Sequence, residues 1–263
     1  MAMLAIDRGR LGGVAAEAAA FPSSDRLFRE GSVFFVGGEL PVYETLATMF
    51  DSHCMAATSL FFLTFGPQGG YDGGVEMARQ IRKNFHVRLM AGVGPSVGAA
   101  DIGRIYAAGV DNLVVNLNGG EPVHGSLPDP LRAALGVFPR WGVAAAISIG
   151  SVGADAACAL IDRLLAEGVA PLVTWQPSAP LQSMEGATAV LERLIFAWER
   201  GGGALSPYLP LLTALAPLAD ARPAGPVRGL IDRFRNQRQL AESALRRHLR
   251  VLPAEDSLDS AGL

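Results

Sequence analysis

Apolar, β-branched or aromatic runs recur along the chain about every 27 residues, beginning near Val33 (VFFV), Leu60 (LFFLTF), Val87 (VRLMAGV), Asn112 (NLVVNL), Val143 (VAAAISI) and Val169 (VAPLVTW). Their length and composition predict six strands. They are apolar at successive positions rather than at alternate ones, the pattern of strands covered on both faces. Between them lie stretches with helical spacing, such as GGVEMARQIRKNF, ADIGRIYAAGVD and ADAACALIDRLLAEGV. The last two of these reach a glycine where a helix would stop. Strand and helix in alternation imply a parallel sheet, because parallel neighbours need a crossover.

An internal echo sharpens this picture. GPSVGAADIGRIYAAGVDNLVV and GSVGADAACALIDRLLAEGVAPLVT share a glycine-serine turn, an SVGA step, an aspartate and a helix ending in GV. Duplicated units suit a barrel better than an open doubly wound sheet. The expected fold is therefore α/β, a partial (β/α)6 TIM-like barrel over residues 31–203. It follows an N-terminal helical or irregular segment, 1–30. A helical extension, 204–252, comes after it, with a long helix near 226–251, and then a disordered tail, 253–263. No seventh or eighth strand is predicted beyond Pro177.

Composition narrows the function classes. The 263 residues carry a formal net charge of -3 with 50% apolar residues, enough for one large core and no electrostatic pull toward nucleic acid or an anionic membrane. Cys54 and Cys158 are the two cysteines and stand in no CxxC or Cys/His pattern, so neither a structural metal nor an iron–sulfur cluster is expected from this chain. Cys54 reads as a buried, inert thiol on the floor side. The N-terminal stretch is broken by Asp7, arginines and Glu17 where a signal peptide needs an unbroken apolar run, and a soluble cytoplasmic protein is expected.

In a parallel α/β fold the chemistry gathers at the carboxyl ends of the strands. That rule selects Gly37, Gly38 and Glu39 after the first strand, Thr64, Gly66 and Gln68 after the second, and Gly92, Gly94 and Ser96 after the third. It adds Asn116, Asn118, Glu121 and His124 after the fourth, Ser148 and Ser151 after the fifth, and Thr174, Gln176 and Ser178 after the sixth. This mouth is polar and mostly uncharged, suited to a polar organic ligand rather than a polyphosphate, which would want several Lys or Arg. Asn116 and Asn118 alternate on a strand, so both face one side and offer amide donors and acceptors.

Glu121 and His124 form a candidate acid–base pair with Glu39 as a second base. Ser96 and Ser151 are candidate caps or anion cradles at helix starts. The repeated GGE, in VGGELP and NGGEPVHG, serves a ligand or supplies turns that need glycine, and both readings stand at this point. The arginine-rich segment VRGLIDRFRNQRQLAESALRRHLRVL packs an apolar stripe on the barrel or docks on an acidic partner.

SLFFLTFGPQGGYDGGVEMARQIRKNFHVRLMAGVG, YAAGVDNLVVNLN and FPRWGVAAAISIGSVGADAACALIDRLLAEGVAPLVTWQP, taken in order, resemble the six-stranded partial barrel of the radical S-adenosylmethionine enzymes. The branch in question is that of biotin synthase and the thiazole-pathway tyrosine lyase. The likeness runs from about Ser32 to Pro180, with Ile147, Ile149, Gly150 and Gly153 on its glycine-rich fifth-strand motif. The family holds its cluster by three cysteines after the first strand, where this chain has GGELPVYETLATMF and none. Its GGE-type motif follows the second strand, where this chain has FGPQ.

The resemblance therefore implies a cluster-less relative that does not cleave S-adenosylmethionine by itself. Such a relative would be an accessory or partner subunit of a cysteine-rich radical S-adenosylmethionine enzyme, with S-adenosylmethionine or a small polar metabolite as its ligand. The alternative, from the residues alone, is a stand-alone metal-free lyase or isomerase using Glu121 and His124.

Overall fold

A computed structural model describes residues 4–6, 21–55, 58–66, 71–117, 127–149, 153–175, 184–201, 204–215 and 219–221. The strands are β1 (Leu4–Ile6), β2 (Leu27–Glu30), β3 (Val33–Gly37), β4 (Leu60–Thr64), β5 (Arg88–Val93), β6 (Asn112–Asn116), β7 (Val143–Ile149), β8 (Ala170–Trp175) and β9 (Ala219–Ala221). The helices are α1 (Val42–Met55), α2 (Tyr71–Asn84), α3 (Ala99–Ala107), α4 (Asp129–Val137), α5 (Ala154–Glu167), α6 (Met184–Gly201) and α7 (Leu209–Leu215), the last preceded by a 3-10 turn at Ser206–Tyr208.

The chain is an α/β protein built on one seven-stranded sheet ordered β2-β3-β4-β5-β6-β7-β8. Strands β3 to β8 are parallel and adjacent in sequence order, and β2 is antiparallel on the β3 edge. The sheet does not close: β2 and β8 are its two edges. The six apolar runs of the sequence are β3 to β8, and they are buried on both faces because helices cover one face and α7 with the 3-10 turn lies on the other. Phe61, Phe62, Leu63, Leu89, Met90 and Val114 are all 0% exposed. Each such side chain contributes roughly 1.5–3 kcal/mol of burial free energy.

Register fixes which residues share a face. Thr64 pairs with Gly92, Gly92 with Val114, Val114 with Ala144, Ala144 with Ala170, and Ser148 with Thr174. With a side-chain period of two, Thr64, Gly92, Asn116, Ser148 and Thr174 point to one face, as do Arg88 and Asn112 at the opposite end of their strands. This face looks toward Tyr208 and α7, since the Asn112 amide donates to the Tyr208 hydroxyl over 3.0 Å. The other face carries Phe61, whose ring lies 5.0 Å from that of Phe85 beyond α2. Helix α7 touches β3 and β4 near one edge and β8 at the other. In a flat sheet β3 and β8 would lie about 24 Å apart, well beyond the roughly 10 Å length of a seven-residue helix, so the sheet curves around it.

Three expectations change. Residues 27–30, assigned to a helical or irregular segment, form β2, joined to β3 by a two-residue turn in which Gly31 takes φ +56°. Residues 219–221, assigned to a helical extension, are a strand antiparallel to β1. Leu205, Tyr208, Leu211, Leu212 and Leu215 are buried in the main core, so the unit built on the sheet continues past residue 203. The arginine-rich helix expected at 226–251 and the tail lie outside the described residues. Two helix stops are as expected: Gly109 and Gly168 follow α3 and α5 with φ of +108° and +76°.

Beneath the sheet, at the amino ends of the strands, a polar network ties the elements together. Asp111, with its side chain 1% exposed, pairs with both terminal nitrogens of Arg82 and accepts from the Leu89 amide over 3.0 Å. Arg88 donates to the Asn112 amide oxygen over 2.8 Å, and Tyr208 donates to the Trp141 carbonyl over 2.9 Å. Burial lowers the affinity of Arg88 for its proton and raises the Tyr208 phenol far above its usual range, which keeps that hydroxyl a neutral donor.

Candidate functional site

The curved face ends, at the carboxyl side of the strands, in a set of small polar positions. Thr64 closes β4 and is 5% exposed, and Thr174 lies one residue from the end of β8 and is 1% exposed. Among the described residues neither hydroxyl has a hydrogen-bond partner. Ser148, 2% exposed, is the in-register neighbour of Thr174, and the half-buried Asn116 ends β6 on the same face. A buried hydroxyl without a partner carries its full desolvation cost, about 1–3 kcal/mol, and calls for an explanation at each place it occurs.

Phe21 reaches the same region from outside the sheet. Its ring meets that of Phe62 edge-on at 5.7 Å, and a Cβ on Gly92 would lie 2.7 Å from both rings. Gly92 is thus the gap into which two aromatic rings close. Phe21 was not legible as a site residue, because nothing local marks a phenylalanine in an irregular segment for this position.

The first GGE has a packing explanation. A Cβ on Gly37 would stand 2.2 Å from the Ser24 carbonyl oxygen, and one on Gly38 would stand 2.9 Å from the Thr64 carbonyl oxygen. The Gly38 amide donates to that Thr64 carbonyl over 2.8 Å, and the Glu39 amide donates to the Ser24 carbonyl over 3.0 Å. Neither glycine has a positive φ, so close backbone approach rather than left-handed geometry demands them. Gly37→Ala is expected to cost about 2 kcal/mol, because backbone must move to admit the methyl group. Gly94→Ala, with nothing within 4 Å of the added Cβ, is expected to leave chemical unfolding unchanged. Equal midpoints for the two variants would contradict this assignment.

Glu39 itself is exposed at the mouth. Its carboxylate folds over Gly66: a Cβ there would lie 2.0 Å from Glu39 Oε1. Glu39 thus reaches from the loop after β3 to Gly66, two residues past the end of β4. Ser96, offered as a helix cap, is exposed and caps nothing: the N-cap of α3 is Gly98, with no side-chain capping bond. The N-cap of α5 is likewise Gly153 without a side-chain bond. Asn118, Glu121, His124, Ser151 and Gln176 lie outside the described residues, as do Gln68 and Ser178.

An iron–sulfur cluster does not fit the loop after β3. That loop and the body of α1 contain no cysteine. Cys54, in the last turn of α1, sits at the helix end that leads to the amino end of β4, away from the mouth. Cys158 lies on α5, where burial raises its thiol above the usual value. Among the described residues no group of three or more His, Cys, Asp or Glu side chains could hold a metal ion. Nor is any described helix long and apolar enough to cross a membrane.

No family model matches the chain, and no curated protein matches it. Among solved structures, it is similar to a chain in the crystal structure of the Amycolatopsis orientalis BexX/CysO complex, at 15% sequence identity and a TM-score of 0.44. The likeness covers 65% of this chain and 69% of that one.

Proposed function

We propose that the chain is a cluster-less relative of the radical S-adenosylmethionine enzymes, a partial barrel of six strands that binds a small polar ligand at the carboxyl ends of its strands. It serves a cysteine-rich radical enzyme as an accessory subunit. In this reading β3 to β8 are the barrel strands, and the opening between the two sheet edges is spanned on the inside by the 3-10 turn and α7.

The observation that carries ligand binding is the pair of buried, unpartnered hydroxyls of Thr64 and Thr174 at the ends of β4 and β8, on the same face as Asn116. Among the described residues no group rewards a threonine over a valine there, whereas a polar ligand would receive hydrogen bonds from both. The accessory role is supported by the cysteine-free loop after the first parallel strand.

The test pairs stability with binding. Thr64→Val and Thr174→Val each replace a hydroxyl by a methyl of nearly the same shape. Each is expected to raise the stability of the ligand-free protein by about 1 kcal/mol in chemical unfolding, since an unsatisfied buried group is removed. Wild type is expected to gain thermal stability with S-adenosylmethionine, by about 2.7 kcal/mol at 100 times the dissociation constant, and both variants to lose that gain. A gain with sugar phosphates and none with S-adenosylmethionine or its breakdown products would end the proposal. So would valine variants that bind as wild type does.

A further inference from the structure

We infer that the floor of the sheet, at the amino ends of β5 and β6, holds a small monovalent anion of halide size against the guanidinium of Arg88. This site lies at the opposite end of the strands from the mouth and is independent of whatever the mouth binds. Hydrogen bonding and charge both lead to it.

An arginine side chain only donates, so the oxygen of the Asn112 amide faces Arg88 and its nitrogen faces Tyr208. The Tyr208 hydroxyl accepts from that nitrogen and gives its own proton to the Trp141 carbonyl. The Asp111 carboxylate accepts from both terminal nitrogens of Arg82 and from the Leu89 amide. Each side-chain acceptor of the group is thus engaged. Donors are left over: Arg88 Nη2 is buried with no hydrogen-bond partner among the described residues, and the Asn112 amide has a second N–H besides the one it gives to Tyr208. A buried donor of this kind calls for an acceptor that the neighbouring side chains do not supply.

The charges point the same way. Arg82 and Arg88 bring two positive charges against the single carboxylate of Asp111, which leaves one positive charge in excess. These groups and the Tyr208 phenol are the ones that act on the Arg88 guanidinium: burial weakens its hold on the proton most, Asp111 opposes that, and Arg82 adds to it. An arginine does not release its proton in a protein, so the charge stays and its removal from water goes uncompensated. A neutral acceptor would complete the hydrogen bonding and leave the charge. An anion does both.

The surroundings set its size and valence. Asn112 is 4% exposed, Tyr208 is 0% exposed, and Leu60, which stands opposite Arg88 on β4, is 0% exposed. Neighbours packed this closely favour an ion of one atom over an organic acid, and one excess positive charge matches one negative charge. Arg88 itself is only part-buried, which gives an ion access from the floor side. Bound there, the anion joins β5 and β6 to the segment leading into α7, so that salt acts on the fold through one defined site.

Urea unfolding at constant ionic strength, with chloride exchanged for the much larger gluconate, tests this. Chloride is expected to raise the folding equilibrium constant about tenfold at about ten times its dissociation constant, and the rise should saturate. Arg88→Met keeps an unbranched stem and removes the charge and the donors, and it should lose this response. Reading the response as wild type against Arg88→Met cancels general salt effects on burial. Lys83→Met removes an exposed cation from the same end of the molecule and should keep the response. Crystals of the wild-type protein in bromide should show an anomalous peak beside Arg88 Nη2, a reading that does not depend on the variant folding.

The same chloride response in wild type and Arg88→Met overturns the inference, and so does its loss in Lys83→Met, which would mean diffuse screening. Absence of bromide beside Arg88 overturns it as well. A bromide peak there without a chloride response in solution would be binding at crystal concentration only, and also overturns it. None of these outcomes bears on ligand binding at the mouth.

Discussion

Asp111→Ala is expected to destabilise the protein by about 3–5 kcal/mol, the range for breaking a buried ion pair from one side. The carboxylate is 1% exposed and serves three donors at once: two nitrogens of Arg82 and the Leu89 amide. Removing it leaves the Leu89 amide, in the middle of the sheet, without that acceptor, and leaves a 29% exposed guanidinium without its counter-charge. Because Arg82 lies at the end of α2 and Asp111 just before β6, the pair also sets how that helix meets the sheet. The reverse truncation, Arg82→Ala, should cost less, since the guanidinium is partly in water and the Leu89 bond remains. Urea unfolding of both variants checks the order. A loss below about 1 kcal/mol for Asp111→Ala would mean the pair is solvated as a surface pair is.

Tyr208→Ala is expected to cost about 4 kcal/mol, and Tyr208→Phe about 1–3 kcal/mol. The side chain is 0% exposed, among the largest fully buried ones, so the alanine leaves a cavity against β6 and the turn before β7. The phenylalanine keeps the volume and removes the hydroxyl alone. That hydroxyl accepts from the Asn112 amide and donates to the Trp141 carbonyl, linking β6, the turn before β7 and the segment leading into α7. Trp141 takes φ 65°, a costly conformation for a bulky residue, and is held there by the Tyr208 bond and by its own amide bond to the Gly168 carbonyl. Losing one of the two holds should be visible as a change in Trp141 fluorescence in Tyr208→Phe before any global unfolding. An unfolding midpoint for Tyr208→Phe equal to wild type would show that the hydroxyl bridges nothing of consequence.

These two sites lie at the amino ends of the strands, opposite the mouth, and neither is legible in the sequence. Tyr208 sits in SPYLP, a run whose sequence says apolar and proline-punctuated, and its partner Asn112 is 96 residues away. No local pattern relates them. Asp111 looks like a turn residue before a strand, and Arg82 like a basic residue in a last helical turn. The pair spans 29 residues and exists because consecutive units of the parallel sheet stack side by side.

The six parallel strands were legible because strands buried on both faces must be apolar at every position, and such runs stand out from amphipathic helices. The edge strand β2 was missed for the converse reason: LFRE is half-exposed and mixes apolar with charged residues, and the hairpin signal lay only in the Gly31-Ser32 turn. The strand-end rule named Thr64, Ser148, Thr174, Asn116 and Glu39, and these stand at or beside the carboxyl ends of β4, β7, β8, β6 and β3. It also offered Ser96, which caps nothing, because nearness to a strand end says nothing about where a side chain points.

From residue order alone come the α/β class, the number and order of the parallel strands, and the lack of lysine and arginine in the loops that follow them. These depend on neighbours along the chain, where burial and backbone geometry leave local traces. The three-dimensional arrangement decided the rest: that the sheet stays open around α7, that Gly37 and Gly38 answer to backbone contacts, and that Glu39 lies over Gly66. It also put two unsatisfied threonine hydroxyls on one face. Those outcomes depend on atoms distant in sequence meeting at specific distances, and hydrophobic periodicity carries no record of such meetings.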